Sequence, residues 1–151
     1  MMIWKPNVTV AAVVEREGKF LIVEELADEQ IVYNQPAGHL DPGESLIDAA
    51  IRETMEETAW QFTPEALVGI YQWTSPKNNI TYLRFCFHGQ CLRHFPDRPL
   101  DTEIQRALWL SRDELLAKGD QIRSPMVLQV IDDYLAGKSY PLDVLHTLSP
   151  S

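Results

Sequence analysis

β-Branched residues crowd the first stretch of the chain. Val8, Thr9, Val10, Val13 and Val14 make residues 7–15 a mostly buried strand. Glu17-Gly18 turns it, and residues 19–24 form a second strand that should close a hairpin with the first. Residues 26–30 are a polar connection. A short strand over 31–36 ends at Pro36, which cannot donate to a ladder. The period then changes. From Leu46 to about Ala59, Ile47, Ile51, Thr54, Met55 and Thr58 recur on one arc of a helix, with Ala49, Glu53, Glu56 and Glu57 opposite. Ser45 with Asp48 three residues on marks its capped start. The first arc should face the core.

Residues 66–74 and 80–91 read as a hairpin around the turn 75–79. On its second strand Thr81, Leu83, Phe85 and Phe87 point one way, and Tyr82, Arg84, Cys86 and His88 the other. After a Pro-rich loop over 93–100 comes a strand at 107–110, and Ser111 with Glu114 opens a short helix ending at Gly119. Ser124-Pro125 opens the last helix, whose Met126, Val127, Val130, Ile131, Tyr134 and Leu135 keep helical spacing up to Gly137. The reading is one α+β domain over residues 1–151, a mixed sheet flanked by two or three helices.

Composition narrows the partners. A chain of 151 residues with 45% hydrophobic content has enough material for a core. The net charge of −9 argues against nucleic acid, which requires clustered Lys and Arg, and makes an anionic substrate depend on bound cations. Cys86 and Cys91 are too few for a disulfide framework and fit thiols in a reducing cytoplasm. The first six residues lack a signal-peptide core, and no apolar run approaches the roughly 20 residues that span a bilayer. A cytoplasmic protein with a small-molecule partner is expected, monomer or homodimer.

Glu53, Glu56 and Glu57 stand at i, i+3 and i+4, where like charges cost a helix about 0.2–0.5 kcal/mol per pair. Either this is a solvated acidic face with Arg52 as partial partner, or it is a hard-cation site for Mg²⁺ or Mn²⁺, which in turn hold substrate phosphates. The wider spacing decides. Gly38, five residues, Glu44, seven residues, then Arg52-Glu53-Thr54-Met55-Glu56-Glu57-Thr58-Ala59-Trp60 resembles the Nudix box. Every charged position matches. Thr54 replaces the usual aliphatic residue, and Ala59 replaces the glycine that ends the helix, so that end should be built differently.

The resemblance implies the Nudix α/β/α sandwich and hydrolysis of a phosphoanhydride. It assigns metal binding to Glu53, Glu56 and Glu57, bracing of these glutamates to Arg52 and Glu44, and close backbone approach of metal or substrate to Gly38. The general base would be Glu56, Glu57 or Glu103, since related enzymes often draw an extra acid from the loop holding Glu103. Arg84 is either a surface or ion-paired arginine or a ligand to substrate phosphate. His39 and His88 are expected to be solvated or structural. Outside the box, residues 35–40, Leu83-Arg84-Phe85, Arg123-Ser124-Pro125 and Tyr140-Pro141-Leu142 are similar to bacterial phosphatases of the same family. These imply nucleoside di- and triphosphates, and pyrophosphates of the thiamin pathway, as substrates, with orthophosphate released. Two alternatives stand beside this: another Nudix specificity, such as oxidised nucleotides or ADP-ribose, and a non-catalytic nucleotide-sensing module.

Overall fold

Side-chain alternation along β1 (Asn7–Val13) divides the interior in two. Val10, Ala12 and, just beyond the strand, Val14 pack on one side, and Ala11 and Val13 on the other. A strand buried on both faces needs cover on both. The helix α1 (Leu46–Thr58) supplies Ala49 and Ala50 to the first side, and α3 (Pro125–Leu135) supplies Val127, Val130 and Ile131 to the second. The computed structural model describes residues 2–150. The remaining elements are β2 (Glu15–Arg16), β3 (Lys19–Ala27), β4 (Gln30–Asn34), β5 (Ala37–His39), β6 (Trp60–Thr74), β7 (Thr81–His94), β8 (Ile104–Leu110) and α2 (Arg112–Leu116).

One sheet runs β5-β1-β7-β6, with β1 and β7 parallel and the other pairs antiparallel. In the other, β3 pairs with β2, β4 and β8, all antiparallel. The result is the expected α/β/α sandwich with a mixed sheet. The last helices begin as expected. Ser111 and Glu114 form a reciprocal capping box, and the Ser124 hydroxyl accepts the Met126 N–H with Pro125 in the first turn.

Several expectations are corrected. The hairpin predicted between the first two strands forms only over β2, because β1 leaves it to pair with β7 some seventy residues away. Residues 26–30 are not a connection: β3 continues to Ala27, and Asp28 and Glu29 make a two-residue turn with φ of 49° and 65°. β6 begins at Trp60 rather than at 66, its ladder to β7 absorbing bulges near Phe62, Pro64 and Gly69. On α1 the buried arc is Ala49, Ala50, Thr54, Glu57 and Thr58, while Ile47, Ile51 and Met55 are half-buried. The two small alanines let the helix approach β1, which turns Glu57 inward.

Ala59 follows α1 in the left-handed region, φ 59° and ψ 20°, and its N–H donates to the Met55 carbonyl. The helix therefore ends as a glycine would end it, against expectation. The conformation costs a non-glycine residue about 1–2 kcal/mol, and burial of the Ala59 methyl offsets part of this. Thr54 is buried and its hydroxyl donates to the Ala50 carbonyl, so the other departure from the box leaves no unpaired polar group.

Candidate active site

The loop between β5 and α1 folds back because Glu44 accepts the Asp41 N–H at 2.8 Å while Ser45 caps the helix. This brings Glu44 to Arg52, two turns along α1. The guanidinium grips Glu44 with both a 3.0 Å bond from Nε and a 2.7 Å bond from Nη2. Its Nη1 donates to Glu53 at 2.8 Å and to Glu56 at 2.9 Å, and Nη2 also reaches the His39 carbonyl at 2.9 Å. A planar fork suits such bidentate pairing and holds three carboxylates in one orientation. The Arg52 charge holds Glu44 below the usual carboxylate range.

Glu57 points the other way. With 6% of its surface exposed, it accepts the Ala37 N–H at 2.9 Å. Burial pushes its carboxyl up to about 9 despite that bond, with Glu25, Glu53 and Asp101 adding repulsion. Burial pushes Glu53 up to about 7, against the pull of Arg52. Gly38 explains how Glu53 fits. A Cβ built there would fall 2.1 Å from the Glu53 carboxyl carbon, so the backbone of β5 is the surface against which this carboxylate lies.

Asp101 was missed as a site residue. Its N–H donates to the Glu56 carbonyl at 3.0 Å, which clasps the loop before β8 onto α1. Glu53, Glu56 and Asp101 thereby bring carboxylate oxygens within 4.8 Å of one another, and Glu57, Asp101 and Glu103 do the same. Burial and then Glu56 and Glu103 raise the Asp101 carboxyl. Five acids from two elements converge, with Arg52 braced by Glu44 beside them. The donors are all hard oxygens and their charges repel, so they fit a hard divalent cation.

The other candidates add no side chain to this cluster, though the Arg84 charge lies within electrostatic reach of Glu57. Arg84 is buried, its Nη2 donating to Asn34 Oδ1 at 2.9 Å and Gln35 Oε1 at 3.3 Å, so it is neither a surface residue nor ion-paired among the described residues. His39 is exposed and 3.4 Å from the Asn7 amide. His88 lies midway along β7 against Tyr134 and Ser139. Both cysteines are buried free thiols.

The NUDIX domain family matches residues 5–130. The chain belongs to the Nudix family. It is 42% identical to the phosphatase NudJ of Shigella boydii over 142 residues, 94% of this chain and 92% of that one. The NUDIX hydrolase from Nitrosomonas europaea superposes with a TM-score of 0.95 at 56% identity, covering 97% of this chain and all of that one. The Nudix domain of Shewanella oneidensis NrtR, complexed with ADP ribose, shares the fold at 17% identity and a TM-score of 0.73. As a Nudix hydrolase the protein acts on phosphoric anhydride bonds. Among the described residues no helix is long and apolar enough to cross a membrane.

Proposed function

We propose that this Nudix hydrolase uses Mg²⁺ or Mn²⁺ to remove orthophosphate from nucleoside tri- and diphosphates, and from pyrophosphates of the thiamin pathway. The observation that carries the reading is the double carboxylate cluster on α1 and the loop before β8, held open by Arg52. Glu53, Glu56, Glu57 and Asp101 would hold the metal. When bound, such an ion polarises phosphorus and lowers the pKa of a water.

The chain's own groups supply the rest. Arg52, locked by Glu44, fixes the aim of Glu53 and Glu56, and the Ala37 N–H fixes Glu57. Gly38 offers backbone to a phosphate at close range. Glu103 takes the proton of the attacking water. Its exposed carboxylate stands by Glu57 and Asp101 and accepts no hydrogen bond among the described residues, whereas Glu56 is tied to Arg52 and Glu57 to Ala37. Arg84 adds positive charge from beneath residues 34–37.

Release of orthophosphate, rather than pyrophosphate or AMP, is supported by the similarity to proteins named as phosphatases along nearly the whole chain. The likeness to an ADP-ribose-binding domain is one of fold alone. A sensing module needs no such set of acids, which favours turnover. The acidic balance, −9 overall, fits a small anionic substrate met through a cation better than a nucleic acid. We read the chain as one cytoplasmic domain, working as monomer or homodimer. A panel of nucleotides assayed with Mg²⁺ for orthophosphate against pyrophosphate tests the reading, and inactivity towards all of them would overturn it.

A further inference from the structure

Arg84 sits within β7 with 4% of its surface exposed, and its guanidinium donates to two neutral amides rather than to a carboxylate, with Glu57 and Glu25 within electrostatic reach but not bonded to it. Its Nε finds no partner among the described residues. Replacing a buried charge by a well-packed apolar residue is often neutral or stabilising, so stability is a poor reason for this arginine. Its position suggests a better one. Asn34 and Gln35, the two residues it grips, immediately precede Pro36 and Ala37. Gln35 is held a second time, its Nε2 donating to the Val127 carbonyl in α3 at 2.8 Å. The Pro36 carbonyl accepts the Ala12 N–H at 3.0 Å, and the next N–H, that of Ala37, meets Glu57 at 2.9 Å.

We propose that Arg84 is a positioning residue for Glu57: by fixing the side chains of Asn34 and Gln35 it sets the backbone of residues 34–37, so that the Ala37 N–H meets the Glu57 carboxylate. Four elements converge on this tether: β7 gives the guanidinium, β4 the Asn34 acceptor, α3 the anchoring carbonyl and β1 the Ala12 N–H. The proposal rests on Glu57 being a metal ligand. It differs from direct contact with substrate phosphate, for which a side chain so covered has little surface to offer.

The test compares the wild type with Arg84→Met and with Gln35→Leu, which removes the Gln35 arm of the tether, including its anchor to Val127, and leaves the arginine and its bond to Asn34. Hydrogen exchange of the Ala37 amide is read without metal, and Mn²⁺ affinity by titration without nucleotide. Both variants should exchange Ala37 at least roughly tenfold faster and bind Mn²⁺ about 10–100-fold more weakly, as expected when support for a ligand is lost. kcat should fall while KM for the nucleotide stays within about threefold. A folded Arg84→Met protein with wild-type Ala37 protection and Mn²⁺ affinity but a raised KM would overturn the proposal and make Arg84 a substrate ligand. Should Arg84→Met not fold, Gln35→Leu decides by the same two readouts. A wild type that binds no Mn²⁺ refutes the metal reading of Glu57, and this proposal with it, whereas normal wild-type binding with unaltered variants refutes this proposal alone.

Discussion

The proposed metal binding should expel protons, and the raised carboxyls of Glu57 and Glu53 give the expected number. With its carboxyl pushed up to about 9, Glu57 carries close to one proton at pH 7, and Glu53, at about 7, carries about half of one. A cation takes only the ionised forms, so saturation at pH 7 should release about 1.5 protons per chain. Apparent affinity should therefore rise about thirtyfold per pH unit near pH 7. The release should fall to about one proton at pH 8 and approach zero by about pH 10. Calorimetric titration of Mn²⁺ into metal-free protein, in buffers of different ionisation enthalpy, reads the number directly. A release near 0.5 at pH 7 would show that Glu57 is not a ligand, and none at all would refute the account of a buried, crowded cluster. The same groups set metal-free stability. Each carboxyl binds its proton more tightly folded than unfolded, so the folded chain holds more protons above the ordinary value of about 4.5, and stability should fall as pH rises from about 5 to about 9.

Four substitutions probe the remaining parts. Arg52→Ala frees Glu44, Glu53 and Glu56 from their common clamp and should weaken Mn²⁺ binding or kcat roughly 10–100-fold; unchanged values in a metal titration and a rate assay would leave Arg52 a plain ion-pair residue. Gly38→Ala should fold with little change in Tm yet lose metal affinity by a similar factor of about 10–100, since the new methyl displaces the Glu53 carboxylate; undiminished binding would mean that Glu53 is free to move. Glu57→Gln should cost orders of magnitude in kcat, while Glu103→Gln should lower kcat about 10²-fold or more with Mn²⁺ affinity and KM little changed. If Glu103→Gln leaves kcat and its pH profile intact, the proton goes to the α1 glutamates.

What the sequence disclosed was mostly local. Ser45, Ser111 and Ser124 announced three helix starts because a cap is an exchange between residues two or three apart. The spacing from Gly38 to Glu57 was legible for a like reason: the end of β5, one loop and one helix, consecutive in the chain, carry all of it. The parallel pairing of β1 with β7 was not, since a strand's composition states how buried it is but not which distant strand lies beside it. Helical spacing also misplaced the buried arc of α1, because apolar size was weighed and closeness was not; Ala49 and Ala50 won the interface by being small. Asp28-Glu29 carries no glycine to advertise its turn. Among the described residues Asp101 is tied to α1 by its N–H to the Glu56 carbonyl, a tertiary contact without a periodic signature. The signal that could have found it was at hand, an acid two residues before Glu103 in a loop already suspected of supplying one.

The central claim is that a divalent cation held by the α1 glutamates and Asp101 serves removal of terminal phosphate. The most direct measurement is the product of turnover on nucleoside di- and triphosphates with Mg²⁺, resolved as orthophosphate or pyrophosphate, repeated with chelator and with Glu57→Gln. The account predicts orthophosphate from the wild type with Mg²⁺ and none in either control. Pyrophosphate as the product would contradict the assigned specificity, and undiminished turnover with chelator or with Glu57→Gln would contradict the site itself.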